Sequence, residues 1–310
     1  MALMKPSGMQ FLKKASEMKP EASIKYMLHR HLSTYEPARP LSRIHASALT
    51  KEEGFCPRFY VLSDLTKTKP KDEWLTTSEN VTFRMGRDSQ DAVVHWFADM
   101  GKAIGHWKCL GCGTMHEFTL RPEKCKACGI KAFRPEEVRF QSALNGASCG
   151  VDMLVGMGEP KLRPVELKTM DKDQFKTLLA PLAEHKLRTN LYLRLIEESP
   201  HPWSKNVSTE KATIMYISKG GYGCADPDMA KWGLSDKFSP FKEFTITRDD
   251  SQTDTLAARA KAVTDFRKGV EGMPKGICPS TLSKRATYCQ LKGVCFSGDH
   301  APVNDWATSK

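Results

Sequence analysis

The sequence lacks any apolar run long enough to cross a membrane. No stretch approaches about 18 consecutive apolar residues, and the N-terminal MALMKPSGMQFLKK has no apolar core of the kind found in signal peptides. From these absences we expect no membrane-spanning helix and no secretory leader, and therefore a cytoplasmic protein with no membrane partner. The chain has ten cysteines, and in that reducing compartment metal ligation is a more favoured role for cysteine than disulfide formation.

Acidic residues are too few to balance the basic ones. The 310 residues include 47 Lys and Arg but 36 Asp and Glu, which gives a formal net charge of +11 and a pI of about 9.1. This surplus of positive charge favours a polyanionic partner, and nucleic acid is the first candidate. A chain of this length can bury a sizeable core, either as one large domain with insertions or as two domains.

Two predicted strands, 150–155 and 165–168, form a β-hairpin around a glycine-rich turn. The first strand is apolar except for Asp152. In the second, Glu166 and Lys168 share one face because side chains alternate along a strand. Two carboxylates can hold a hard divalent cation, and a neighbouring lysine can bind a phosphate oxygen or orient a water. The alternative interpretation of the alternating residues is the solvated face of an edge strand.

Four cysteines within residues 105–131 have the spacing of a zinc ribbon. Two Cys-x-x-Cys-Gly motifs, formed by Cys109 with Cys112 and by Cys125 with Cys128, are separated by twelve residues. Such pairs place four thiolates tetrahedrally around zinc, and the glycine after each pair lets the backbone turn towards the sulfurs. We expect zinc to hold this segment together, since it is too short to bury a core.

A second group of cysteines is divided between the two ends of the chain. Cys278, Cys289 and Cys295 lie near the C-terminus, whereas Cys56 precedes a proline near the N-terminus. Four thiolates bind either zinc or an iron–sulfur cluster, and the residues alone favour neither. In both cases the site would connect the two ends of the chain across a very long loop.

Polar side chains accompany the apolar stripe of a helix predicted over 172–198. His185, Arg188 and Tyr192 recur at spacings of three and four, so they share one face of this helix. They either border the core or face the hairpin acids and a bound phosphate. The apolar stripe itself is predicted to consist of Leu179, Leu182, Leu187, Leu191 and Leu195.

Together, these motifs resemble the core of the PD-(D/E)XK nuclease superfamily. The resemblance begins with GVD at 150–152 and VELKT at 165–169. A helix with a Gly-x-x-x-Gln motif ending at Gln90 precedes them, and a helix with Arg188 and Tyr192 follows them. This order is that of the RecB-like branch. The sequence departs from the family at Gln90, where a histidine is usual, and at Arg188, where a glutamine is usual.

The divided cysteine group also resembles a feature of this superfamily. Cys56-Pro-Arg with the three C-terminal cysteines is similar to the iron–sulfur clasp of the CRISPR-associated and AddB-type members, although the gap between Cys278 and Cys289 is longer than usual. The resemblance therefore implies a 4Fe–4S cluster at Cys56, Cys278, Cys289 and Cys295. The chain as a whole is similar to phage-encoded relatives used in DNA recombination, for which the location would be the host cytoplasm.

The resemblance implies an α/β fold with a restriction-endonuclease-like core. In such a core, helices flank a mixed central sheet; here a zinc ribbon would be inserted and cysteines would join the termini. The expected parts are a basic helical segment, the first part of the nuclease domain, the ribbon, the nuclease core and a cysteine-rich end, at 1–44, 45–104, 105–131, 132–270 and 271–310.

The resemblance also implies a metal-dependent deoxyribonuclease, most simply an exonuclease, that acts in DNA recombination, repair or replication. Its partners would be single-stranded DNA or duplex ends, together with recombination or replication proteins. Asp152, Glu166 and the Leu167 carbonyl would bind Mg²⁺ or Mn²⁺. Lys168 would position the attacking water and Gln90 would orient a metal-bound water. The strand being cut would be held by Arg188 and Tyr192.

Three other functions compete with this interpretation. A non-catalytic DNA-binding or recombination scaffold would keep the fold with a lapsed site, and the missing histidine at Gln90 favours it. A zinc-ribbon transcription factor would explain residues 105–131 but would ignore the hairpin. An electron-transfer iron–sulfur protein would require a site for a redox partner, and the sequence offers none.

Overall fold

A computed structural model describes residues 23–36, 40–51, 54–69 and 73–297. In these residues a mixed sheet is flanked by helices, which confirms the predicted α/β class. The strands are β1 (Thr34–Glu36), β2 (Ile44–His45), β3 (Glu73–Leu75), β4 (Ala103–Cys109), β5 (Met115–Thr119), β6 (Phe133–Glu136), β7 (Val138–Gln141), β8 (Ala147–Val151), β9 (Met153–Val155), β10 (Arg163–Met170), β11 (Lys211–Ser218), β12 (Cys224–Ala225), β13 (Phe238–Ser239) and β14 (Phe241–Thr247).

Ten α-helices and three short 3₁₀ turns accompany the strands in the described residues. Short 3₁₀ turns lie at Pro202–Asn206, Lys219–Gly221 and Asp250–Gln252. The α-helices are α1 (Ile24–Leu32), α2 (Ala46–Leu49), α3 (Pro57–Thr66), α4 (Thr77–Asp99), α5 (Lys172–Thr177), α6 (Ala183–Glu197), α7 (Pro227–Lys231), α8 (Asp254–Arg267), α9 (Lys284–Tyr288) and α10 (Lys292–Cys295). No helix in the described part of the chain has the length and apolar character to span a membrane.

The described residues divide into two compact units. The first contains residues 23–36 and 73–85, that is α1, the antiparallel β1–β3 ladder and α4 as far as Met85. Within it, the Asn80 side-chain amide donates to the Leu32 carbonyl, 2.5 Å away. All other described residues belong to the second unit. Residues 1–22 and 37–39 of the expected basic segment and 298–310 of the expected cysteine-rich end lie outside the described residues, and the four expected boundaries between the parts stay predictions.

The second unit is organised around a large sheet with the strand order β14–β11–β10–β9–β4–β5, in which β6 also pairs with β4. Only the β10–β11 pair of this sheet is parallel, so the sheet is mixed. Strand β10 lies at its centre between β9 and β11. Neighbouring strands occupy both of its edges, so other strands of this sheet cannot cover its two faces. These faces have to be covered by helices or loops.

A smaller sheet has the strand order β2–β8–β7. The prediction of one strand over 150–155 is wrong in this respect: β8 ends at Val151 in the small sheet, and β9 begins at Met153 in the large sheet. Asp152 alone separates them and has a bent, non-strand backbone. The chain therefore changes sheets at the one acid of this segment.

Buried apolar side chains cover both faces of the central strands. Helix α4 contributes Val93 and Val94 to a cluster with Val165 and Leu167 of β10. A second and larger cluster lies between the small sheet and helices α2, α3, α6 and α8, and it includes Phe140, Val151, Leu191, Leu195 and Val263. Burial of this much apolar surface is the main force that holds the sheets and helices together.

The helix predicted over 172–198 is two helices, α5 and α6. Residues between them include Pro181, whose ring and missing N–H are incompatible with a helix interior. The predicted leucine stripe is correct for Leu191 and Leu195, which are fully buried. It is wrong for Leu179, which is 90% exposed, and for Leu182, which is also exposed. Both residues precede α6, so they are not part of its buried face.

Asn190 joins α6 to the turn before α8, and we expect its loss to destabilise the fold. The side chain is 1% exposed, donates to the Asp249 carbonyl at 2.6 Å and accepts from the Asp249 N–H at 2.9 Å. Asn190→Ala leaves both backbone groups without this partner, so the free energy of unfolding should fall by about 2 kcal/mol. Urea unfolding measures the change.

Asn206→Ala is the matched control, since the Asn206 side chain is exposed. It should change the free energy of unfolding by less than about 0.5 kcal/mol. Equal stability of the two variants would contradict the role given to Asn190.

Candidate functional site

The central strand β10 carries Glu166 and Lys168 on one face. Their cross-strand neighbours on β11 are Ile214 and Tyr216, so these four side chains share a side of the sheet. Glu166 is 4% exposed and its side chain forms an ion pair with Lys168. This burial contradicts the alternative interpretation of a solvated edge strand, because a solvated face would leave the acid in water.

Asp152 reaches the same strand from the bend between the two sheets. Its Oδ2 accepts a hydrogen bond from the Leu167 N–H, with a distance of 2.7 Å. Burial and the negative charge of Glu166 raise the pKa of Asp152 well above its usual range. The structure therefore brings together the two predicted acids, which lie close enough for their charges to interact.

The ion pair with Lys168 satisfies only one of the two carboxylate oxygens of Glu166. Burial lowers the pKa of Lys168, but the charges of Glu166 and Asp152 outweigh this effect and leave that pKa raised. Glu166 Oε1 contacts the Lys168 ammonium, whereas the buried Oε2 has no hydrogen-bond partner among the described residues. A buried carboxylate oxygen without a partner is costly, and a cation is the partner that the donor set accommodates.

Gln90 of helix α4 contacts β10 at the same residue as Asp152. Its side-chain Nε2 donates to the Leu167 carbonyl at 2.5 Å, so both backbone polar groups of Leu167 are held by predicted site residues. Helix α4 can come this close because Gly86 faces β10, where a Cβ would lie 3.1 Å from the Thr169 hydroxyl. A carbonyl oxygen has two lone pairs, so the predicted ligand role of Leu167 stays a prediction that Gln90 does not block.

A cavity of about 320 Å³ adjoins Asp152 and Gln90. Strand β7 and the residues before it contribute Glu137 and Arg139 to its wall. Sequence reasoning did not assign these two side chains to the site, and only the alternation of charge and apolarity along the strand could have indicated them. The remaining lining is Arg87, Asp91, Val94, Arg134, Pro135 and Glu136.

Helix α6 presents His185, Arg188 and Tyr192 to the acids. Arg188 is paired with Glu184 and its Nε donates to the Thr50 hydroxyl at 3.3 Å. Tyr192 is 4% exposed, and burial followed by the charge of Glu166 raises its pKa well above the usual range. This burial favours a role for Tyr192 in supporting Glu166 rather than in contacting a large ligand directly.

The four ribbon cysteines converge at the tip of β4. Their sulfurs lie within 4.8 Å of one another, with 3.5 Å between Cys109 and Cys128 and 3.6 Å between Cys112 and Cys125. Each Cys-x-x-Cys pair closes on a glycine with positive φ, at Gly113 (78°) and at residue 129 (76°), whose N–H donates to the first cysteine's carbonyl. This cluster can hold a metal ion.

The other predicted quartet also comes together, but more loosely. Cys56, Cys278, Cys289 and Cys295 line a cavity of about 800 Å³. Burial raises the pKa of Cys295 to about 11 and also raises that of Cys278. In the described residues, only the ribbon quartet has three or more ligand atoms that all lie within 4.8 Å of one another. The terminal sulfurs are therefore farther apart than those of the ribbon.

Comparison with known proteins gives structural likenesses only. No protein-family model matches the chain, and no curated protein matches its sequence. Among solved structures, it is similar to LHK-Exo in complex with dAMP, with a TM-score of 0.40 and 12% identity over 74% of this chain and 89% of that one.

Two further structures give similar values. The alkaline exonuclease LHK-Exo from Laribacter hongkongensis has a TM-score of 0.39 and 12% identity, over 78% of this chain and 92% of that one. SSO0001 has a TM-score of 0.35 and 16% identity, over 90% of this chain and 97% of that one. At these TM-scores the likenesses do not assign the chain to a family.

Asp152→Asn should stabilise the protein in buffer without added Mg²⁺ or Mn²⁺. The raised pKa of Asp152 means that its ionised form is disfavoured in the folded state, whereas the unfolded acid is ionised at pH 7. An amide keeps an acceptor for the Leu167 N–H and removes the repulsion by Glu166. We expect a gain of about 1–2 kcal/mol, seen as a higher thermal midpoint at pH 7.

Asp236→Asn serves as the control for this measurement. Asp236 is exposed, and the substitution makes the same replacement of a carboxylate by an amide. Its thermal midpoint should match that of the wild type. A lower midpoint for Asp152→Asn than for the wild type would show that the charge of Asp152 is not destabilising.

Proposed function

We propose that this protein is a metal-dependent deoxyribonuclease that binds Mg²⁺ or Mn²⁺ through Asp152, Glu166 and the Leu167 carbonyl. The observation that carries the proposal is the partnerless Oε2 of Glu166, buried beside a second acid and a lysine. A purely structural ion pair would leave neither an unsatisfied oxygen nor a neighbouring acid with a raised pKa. Oxygen donors of this kind are those that hard divalent cations prefer.

The side chains around these acids have distinct tasks in phosphodiester hydrolysis. A divalent cation held by the acids would polarise the phosphate and lower the pKa of the attacking water. Lys168 positions that water and offsets the negative charge that develops on the phosphate oxygens. Gln90 and Asp152 hold the Leu167 peptide in place, so that its carbonyl keeps a fixed orientation. Arg188, on the facing helix, binds a phosphate of the strand being cut.

The net charge of the chain supports DNA as the substrate. A formal charge of +11 provides sequence-independent attraction for a phosphate backbone, so binding should weaken steeply as salt increases. We place the enzyme in the cytoplasm, or the host cytoplasm for a phage-encoded relative, and assign it to DNA recombination, repair or replication. An exonuclease of the RecB-like branch is the form that the motifs favour.

A non-catalytic DNA-binding scaffold is the second candidate. It is favoured by one specific observation: Gln90 stands where the resembled family usually has a metal-binding histidine, and its amide is already engaged with the Leu167 carbonyl. The same charges would then bind DNA without cutting it.

The two cysteine quartets support two further cofactors. Thiolate–zinc bonds of about 2.3 Å require four sulfurs close together, which is the spacing of the ribbon quartet. The wider terminal quartet surrounds a cavity of about 800 Å³, which suits a 4Fe–4S cluster, since four irons occupy more space than one ion. In this assignment the cluster joins Cys56 to the C-terminal segment and stabilises the fold rather than taking part in hydrolysis.

Lys168→Ala should abolish most DNA cleavage while DNA binding persists. Loss of the ammonium removes a contact that is strongest in the transition state, so the single-turnover rate should fall by about 100-fold or more in Mg²⁺ or Mn²⁺. Release of nucleotides from labelled single-stranded and duplex DNA measures the rate, and fluorescence anisotropy measures binding.

Lys268→Ala provides the control, since Lys268 is an exposed lysine at the end of α8. Its cleavage rate should stay within about twofold of the wild type. Cleavage by Lys168→Ala at the wild-type rate would refute the catalytic assignment. Wild-type protein that binds DNA but cuts none with either metal would favour the scaffold.

Metal analysis should separate the two quartets. Anaerobically purified protein should be brown and contain zinc and iron in a ratio of about one to four. Cys112→Ala should remove the zinc and leave the iron, whereas Cys289→Ala should remove the iron and the colour. Cys224→Ala, which changes a cysteine outside both quartets, should keep both metals. Loss of zinc from both quartet variants in equal measure would contradict the assignment.

A further inference from the structure

A histidine and a tyrosine form a hydrogen-bonded pair next to Lys168. Tyr216 is the cross-strand neighbour of Lys168 in the β10–β11 ladder, so their side chains share a face. The Tyr216 hydroxyl lies 2.9 Å from Nδ1 of His185, at the start of α6. It also accepts a hydrogen bond of 3.0 Å from the Leu182 N–H. The pair thus connects the first turn of α6 to β11, the strand next to the one that bears the lysine.

The hydrogen bonds of this pair determine which nitrogen of His185 carries the proton. Tyr216 is fully buried, and no other acceptor for its hydroxyl proton occurs among the described contacts. If Nδ1–H were the donor, the tyrosine oxygen would accept twice and its own proton would be left without a partner, which is costly in a buried place. The hydroxyl therefore donates to Nδ1, and the ring proton lies on Nε2.

The protonated nitrogen lies on the edge of the ring that is directed away from Tyr216. His185 is half-buried, and its Nε2 has no acceptor in the part of the chain that the structure describes. Burial, followed by the positive charges of Lys168 and Arg188, lowers the pKa of His185 to about 4. The imidazole is therefore neutral near pH 7, and it offers one N–H beside two cationic side chains.

We infer that His185, held in its Nε2–H form by Tyr216, donates a hydrogen bond to a phosphate oxygen of the bound nucleic acid, next to Lys168 and Arg188. This inference rests on the proposed nuclease function and adds a substrate contact to it. The three side chains then donate to the same anionic group. The neutral histidine adds a directed hydrogen bond without adding a third positive charge. Tyr216 is a positioning residue, since it acts through His185.

The first test reads the tautomer directly and does not depend on nuclease activity. In ¹⁵N-histidine-labelled wild-type protein at pH 7, the nitrogen chemical shifts of His185 should be those of a neutral Nε2–H ring. The His185→Gln spectrum identifies the resonance. In Tyr216→Phe the preference for that form should weaken. An Nδ1–H ring in the wild type would overturn the inference.

The second test uses two amide substitutions that replace different ring nitrogens. Asn places its terminal amide at the distance of Nδ1, so His185→Asn keeps the contact with Tyr216 and loses the Nε2 donor. Gln places its amide at the distance of Nε2, so His185→Gln keeps the donor and loses the contact. Single-turnover cleavage of a labelled oligonucleotide in Mg²⁺ or Mn²⁺ compares the two variants, and a thermal melt reports their folding.

We expect His185→Asn to cut about 10- to 100-fold more slowly than the wild type, which is the effect of losing one hydrogen bond to a charged group. His185→Gln should retain a rate within about fivefold of the wild type, because the donor is preserved. A purely structural histidine predicts the reverse order, with Asn close to the wild type and Gln impaired, and that result would overturn the inference.

The two proposals fail in distinguishable ways. Wild-type protein that cuts no DNA refutes the proposed function, and the phosphate contact is refuted with it, whatever the NMR result. Wild-type protein that cuts DNA while His185→Asn cuts equally fast leaves the nuclease assignment in place and refutes the phosphate contact alone.

Discussion

Two carboxylates, Asp152 and Glu166, approach one another where water is largely excluded, and much of the surrounding structure serves this arrangement. Burial, followed by repulsion from Glu166, raises the pKa of Asp152, and Lys168 compensates only one oxygen of Glu166. Like charges at a buried position are destabilising unless a cation joins them. The apolar clusters on both faces of β10 supply the burial free energy that keeps the acids there.

The backbone of Leu167 is the point at which the elements of the site meet. Asp152 accepts from its N–H, and Gln90 donates to its carbonyl. The first residue lies at the junction of two sheets and the second on the long helix α4, so one residue of β10 is held by groups from separate elements. Fixing a backbone in this way preorganises the nearby side chains.

Several features were predictable from sequence because they depend on local pattern. The alternation of 165–168 placed Glu166 and Lys168 on one face, and the Cys-x-x-Cys-Gly spacing placed four sulfurs together. Other features were not predictable because they depend on distant partners. The sequence did not indicate that the chain changes sheets at Asp152, or that Pro181 leaves Leu179 in solvent. The same limit applies to the donation from Gln90 to the Leu167 carbonyl.

The sequence by itself determined the donor groups and their spacing: two acids and a lysine, two cysteine quartets, and a surplus of positive charge. These follow from residue identity and from the periods of strands and turns. Tertiary structure alone decided which groups meet and what surrounds them. Whether Glu166 lies in water or in a dry interior depends on β10 being central rather than at an edge, and on α6 packing over it. That choice comes from the summed burial of apolar surface over the whole unit, a quantity that no local pattern contains.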